Sequence, residues 1–176
     1  MSNEITSLRF LHSGISLAES ETIYNILNTS FEVIEDDREF QFNDQSMQGI
    51  VKIHFPLPFC ESFFELFAEG WFNMKNVLKD MRKRRGRRGL EVQLSFEGFI
   101  QNEEIIYTDI ILQLNDTLPK EFEMAIEKID YLVDAISAEL SKIQEKISPF
   151  VYIYDTTRKK WLLRSYWETN MNRNES

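Results

Sequence analysis

Residues 51–96 read VKIHFPLPFCESFFELFAEGWFNMKNVLKDMRKRRGRRGLEVQLSF, and the order of patterns inside that stretch decides the fold. Val51, Ile53 and Phe55 alternate with Lys52 and His54, the two-residue period of a strand with one wet face. Pro56-Leu57-Pro58 ends it, and Pro58 suits the first turn of a helix, where a missing N–H costs nothing. An apolar seam follows at Cys60, Phe64, Phe67, Trp71, Met74, Leu78 and Met81, with Glu61, Glu65 and Glu69 on the wet face. Gly86 and Gly89 then break the chain, and Leu90, Val92, Leu94 and Phe96 alternate with Glu91, Gln93 and Ser95 in a second half-buried strand.

Working outward from there, the same grammar repeats. Toward the N-terminus, Ile5 to Leu11 reads as a strand. Ser16-Leu17-Ala18-Glu19 reads as a capping box opening a helix that ends near Asn28. Phe40 and Phe42 read as a strand turning through residues 43–49 into the strand at 51–55. Toward the C-terminus, Gln101 to Glu103 turns the chain into a strand over Ile105 to Leu114. Pro119 starts a helix whose seam is Phe122, Ile126, Ile129, Val133, Ile136, Leu140, Ile143 and Ile147. Phe150 to Tyr154 and Trp161 to Trp167 form a closing hairpin about Asp155-Thr156-Thr157-Arg158. The expected fold is therefore α+β: a mainly antiparallel sheet of hairpins with two long helices on one face. Residues 1–168 form one domain, and a polar tail follows over 169–176.

Both helical seams step by four and three residues, the 3.5-residue period of a coiled coil. Nearly thirty residues of helix would extend about 45 Å, whereas a six-residue strand covers about 20 Å. The helices must overhang the sheet, pack on each other or meet a second chain. Packing within one monomer is the first expectation for both seams, and the alternative is that helix 119–147 also forms a homodimer seam.

Composition narrows the function. Of 176 residues, 43% are hydrophobic and 13% aromatic, enough for a real core and too much for a disordered chain. No run resembles a membrane span, Met1-Ser2-Asn3-Glu4 does not begin a signal peptide, and a single cysteine makes no internal disulfide. An intracellular, cytoplasmic setting is expected. The formal net charge is −9, yet residues 79–88 hold seven bases and one acid. Six of those bases, Arg82, Lys83, Arg84, Arg85, Arg87 and Arg88, fall in seven positions at a helix end. The helix dipole accounts for one or two cations; six call for an anion, and phosphate matches the arginine fork.

A second basic set, Arg158, Lys159, Lys160 and Arg164, lies among Tyr152, Tyr154 and Trp161. Cations interleaved with aromatic faces suit single-stranded or structured nucleic acid, gripped by phosphate contacts and base stacking. The leading expectation is a non-enzymatic nucleic-acid-binding module using those thirteen residues. Its rival is a protein-interaction domain, dimeric through helix 119–147, whose basic run docks on an acidic protein partner. A third reading pairs Cys60 in the first helical turn with His54 as thiolate and imidazole. Against it, Cys60 also occupies the apolar seam. Only His12 and His54 are available to a metal, and no glycine-rich phosphate loop or nucleophile elbow occurs, so neither metal nor cofactor is expected.

Overall fold

A computed structural model describes residues 7–36, 48–143 and 149–164. Its elements run β1 (Ser7–Ser13), α1 (Leu17–Leu27), β2 (Glu32–Asp36), β3 (Gly49–Phe55), α2 (Glu61–Leu66) and α3 (Ala68–Arg85). They continue with β4 (Leu90–Phe96), β5 (Phe99–Gln101), β6 (Glu104–Ile106), β7 (Ile110–Leu114), α4 (Pro119–Lys128), α5 (Leu132–Leu140), β8 (Phe150–Asp155) and β9 (Lys160–Leu163). Seven strands make one sheet in the order β2-β1-β3-β4-β7-β8-β9, and β5 and β6 form a small separate hairpin. Among the described residues no helix is long and apolar enough to cross a membrane.

The architecture is α+β, with a mixed sheet rather than a mainly antiparallel one. Strand pairs β1/β2, β3/β4 and β7/β8 are parallel; β1/β3, β4/β7 and β8/β9 are antiparallel. The reason is geometric. A strand followed by a helix and another strand returns the chain to its starting end, so the two strands lie parallel. Three such units stand side by side, joined through antiparallel neighbours. Only β8 and β9 form the simple hairpin expected in the main sheet. The expected strand from Ile105 to Leu114 divides into β6 and β7, and β5–β6 turns at Asn102 and Glu103, both with positive φ. The strand expected at Phe40 and Phe42, its turn as far as residue 47, and the tail from 169 lie outside the described residues.

One face of the sheet carries the core. Phe10, Ile53, Leu94, Leu112, Tyr152 and Leu163 form a single row across six strands, and all are buried. The helices cover this face, and Trp71, Met74, Leu78 and Met81 of α3 are buried against it, as the seam predicts. Lys52, His54, Gln93 and Gln113 lie half-buried on the opposite face.

Neither long helix is continuous. The first breaks at Phe67, whose backbone (φ −116°, ψ 19°) leaves the helical region. Its ring packs edge-on to Phe31, 5.5 Å between centroids, and a Cβ at Gly70 would overlap it. The second breaks at a 3₁₀ turn over Ile129–Tyr131. Each break shortens a segment to something a strand-sized sheet can cover. Of the seam expected along 119–147, Phe122, Ile126, Ile129, Ile136 and Leu140 are buried in the monomer's own core, Val133 and Ile143 are half-buried, and Ile147 lies outside the described residues.

Candidate nucleic-acid interface

The basic run begins as a ladder between antiparallel helices. On α3, Lys75, Lys79 and Lys83 recur every four residues and so share one face. Opposite them stand Asp130, Glu127 and Glu123. Lys75 Nζ lies 2.7 Å from Asp130 Oδ2, Lys79 pairs with Glu127, and Lys83 Nζ lies 3.9 Å from Glu123 Oε2. Trp71 Nε1 donates to Asp130 one turn earlier. Hydrogen bonding from Lys79, opposed by burial and aided by Lys75, holds the Glu127 carboxyl below its ordinary pKa.

Arg82 and Arg85 point into the molecule. Arg82 is 3% exposed; its Nε donates to the Thr117 carbonyl at 2.8 Å, its Nη1 to the Gly86 carbonyl at 3.0 Å, and Asp116 Oδ1 lies 3.1 Å from Nε. Asp116 also accepts from the Leu90 amide at 3.2 Å. It sits where a Cβ on Gly89 would be, and Gly89 has φ +69°, so only glycine fits there. Arg85 donates to the Gly14 carbonyl at 2.8 Å and to Glu19 Oε2 at 2.9 Å, filling the space a side chain on Gly49 would need. Glu19 closes the expected capping box with Ser16 at the same time. These two arginines are structural ties whose charges are already matched, which corrects their expected role as phosphate contacts.

Arg84 is exposed and faces α1, 3.4 Å from Glu19. Arg87 and Arg88 are exposed in the 3₁₀ turn Gly86–Arg88, with no carboxylate in ion-pair range among the described residues. That turn is fixed at both ends by the Arg82–Gly86 hydrogen bond and the Gly89–Asp116 contact.

The second basic set sits on the β8–β9 turn. Asp155 Oδ1 accepts from the amides of Thr157 (2.8 Å) and Arg158 (3.1 Å), and Lys128 of α4 donates to the Lys159 carbonyl. Arg158, Lys159 and Lys160 are exposed, as is Arg164 at the end of β9. The aromatic residues differ from expectation. Tyr152, Tyr154 and Trp161 occupy the inner face and are 1%, 5% and 5% exposed. Trp161 Nε1 is spent on the Ala125 carbonyl at 3.1 Å. None offers a face to a base, because β8 and β9 alternate with their aromatic positions inward.

A cleft of about 490 Å³ is lined by Arg82, Asp116, Thr117, Leu118, Glu121, Thr156 and Thr157, so Arg82 is the one member of either basic stretch that lines it. In the sequence Asn115-Asp116-Thr117 reads only as a helix start. Its role beside Arg82 depends on contacts 35 residues apart, which leave no local pattern.

Cys60 and His54 do not meet. Cys60 is buried with its Sγ 3.0 Å from Ser62 Oγ, while His54 Nε2 reaches Glu97 at 3.1 Å. Comparisons of the chain with protein-family models, with curated proteins and with solved structures returned no match.

Proposed function

We propose that this chain is a binding module for nucleic acid that grips the phosphate backbone through the exposed bases at the α3 terminus, with those of the β8–β9 turn extending the contact. The observation that carries this reading is that Lys83, Arg84, Arg87 and Arg88 stay exposed within six residues at the α3 terminus of a chain whose net charge is −9. Lys83, Arg84, Arg87 and Arg88 supply exposed cations at the α3 terminus, and Lys159 and Lys160 supply exposed cations on the β8–β9 turn, where Arg158 lies 3.7 Å from Asp155. The surrounding negative charge repels a polyanion elsewhere and focuses it on these cations. With Tyr152, Tyr154 and Trp161 in the core, affinity rests on backbone contacts rather than base stacking.

Fluorescence anisotropy of a labelled oligonucleotide over a salt series tests the reading. Binding should weaken steeply with salt, and the log–log slope should fall by about one for each phosphate-contacting cation removed. Replacing Arg87 and Arg88 with alanine should therefore lower the slope by about two. Absence of salt-sensitive binding would sink the proposal. Retention of acidic proteins without oligonucleotide binding would assign the same cations to an acidic protein partner instead.

A further inference from the structure

The main sheet ends in two strands of opposite charge. At one edge β2 reads Glu32-Val33-Ile34-Glu35-Asp36, with three acids and no base. At the other edge β9 opens on Lys160, with Lys159 before it and Arg164 directly after it. Among the described strands each has a single paired neighbour, β1 for β2 and β8 for β9. The outer side of an edge strand carries backbone N–H and C=O groups that can template another strand.

Register shows which side chains travel with each edge. Leu8 lies opposite Val33 and Arg9 opposite Ile34, so Glu32, Ile34 and Asp36 share Arg9's face of the sheet, away from the helices. Tyr152 lies opposite Leu163 and Ile153 opposite Leu162, so Lys160 and Leu162 stand on that same face, with Arg164 just past the strand. Carried through the sheet, the pairings make β2 and β9 antiparallel to each other. A second copy laid beside the first in the same orientation therefore brings its β2 antiparallel to β9. In register, Asp36 meets Lys160, Ile34 meets Leu162 and Glu32 meets Arg164.

Opposite charges facing each other across an antiparallel pair attract, and like charges repel. Ile34 is 50% exposed and the junction covers it, whereas Leu162 is already buried in its own chain. Asp36 and Arg164 also interact within their own chain, and the junction requires only the sign of their charge. A two-fold dimer through β2 would instead set acids against acids, and one through β9 bases against bases. Charge on an edge strand protects it from its own kind and here favours the unlike pairing.

We infer that the chain assembles head to tail with copies of itself, β9 of one copy continuing into β2 of the next as one sheet. Such a heterologous contact uses two different surfaces and so repeats, closing into a ring or extending as a filament. With five residues in β2 and four in β9 the contact is small, so assembly depends on concentration. It does not require nucleic acid; Lys160 alone is common to the two readings.

Sedimentation velocity over a concentration series, at low and high salt, tests the assembly. The wild type should rise above monomer mass with concentration and return toward it in high salt, which screens the charge pairs. Glu32→Lys reverses a charge on the β2 edge and Lys160→Glu one on the β9 edge. Both sites are exposed, and melting followed by circular dichroism verifies that each variant is folded. Each variant alone should self-associate about tenfold more weakly than the wild type. An equimolar mixture should form a dimer and nothing larger, because one intact β9 meets one intact β2 and the two altered edges repel. A wild type that stays at monomer mass up to its solubility limit overturns the inference, and that measurement needs no variant. Association indifferent to salt overturns it too. So does self-association of either variant at wild-type strength, which places the contact on one edge twice or elsewhere on the surface. Failure to bind oligonucleotide counts against the function proposed above and leaves the assembly standing.

Discussion

Glu19 serves two masters, capping α1 through Ser16 and neutralising Arg85 from across the molecule. Burial works against its charge, yet the Ser16 amide and Arg85 prevail, and its pKa lies below the ordinary 4.5. A carboxyl depressed on folding contributes stability that is fully present above its unfolded pKa and is lost as pH falls through the folded value. Melting followed from neutral pH to below pH 4 should therefore show a fall in Tm that is shallower in Glu19→Gln than in the wild type. Parallel curves would mean that the pair contributes no linkage. Arg85→Met should destabilise by about 3 kcal/mol, since it strands Glu19 in a partly buried site. Tyr152 behaves oppositely. Its hydroxyl is buried without a partner, and burial, with Glu139 nearby, pushes the phenol far above its ordinary pKa. Tyr152→Phe removes a cost without opening a cavity, so urea unfolding should show a change between zero and about 1 kcal/mol in the stabilising direction.

The ladder between α3 and α4 puts pairs of unequal worth in one row. Lys75 is 10% exposed and Asp130 29%, at 2.7 Å. Lys83 and Glu123 are 53% and 44% exposed at 3.9 Å. Separation and hydration both favour the first pair, so double-mutant cycles should give a coupling above about 1 kcal/mol for Lys75–Asp130 and below about 0.5 kcal/mol for Lys83–Glu123. Equal couplings would refute the ranking. The elements themselves were largely legible: the Ser16–Glu19 box, the alternation at Leu90–Phe96 and the turn after Asp155 all appear where side-chain period and capping chemistry place them. What local pattern could not convey was continuity. The seam through Ile126, Ile129 and Val133 keeps its period across a 3₁₀ turn because apolar spacing records which side is buried, not whether the axis bends. Nor could it convey pairing, since β3 and β4 are parallel only because the helix between them returns the chain.

At the scale of the molecule, the three strand–helix–strand units differ in hand. With every helix on one face, the first two step outward along the sheet in opposite senses from oppositely directed strands and so share one hand; the third, from β7 to β8, has the other. Right-handed crossovers are the general rule, so the sheet order could not have been deduced from the sequence by that rule alone. The same distance between local pattern and assembled structure governs the site. Seven bases in ten residues announce a basic edge, yet they cannot reveal which are already engaged: Arg85 meets Gly14 and Glu19 across 71 and 66 residues. Folding divides the run into arginines that hold the chain together and arginines that face water, and the two groups should separate cleanly in experiment. Arg82→Ala leaves Asp116 without its cation and the Thr117 carbonyl without its donors, and should cost about 3 kcal/mol in unfolding free energy. Arg87→Ala with Arg88→Ala touches no partner among the described residues, so its melting temperature should stay at the wild-type value while retention on an anionic polymer falls. If both variants melted alike, or if the exposed pair could be removed with retention intact, the division of labour within the run would be wrong and the α3 terminus would lose its claim to the polyanion.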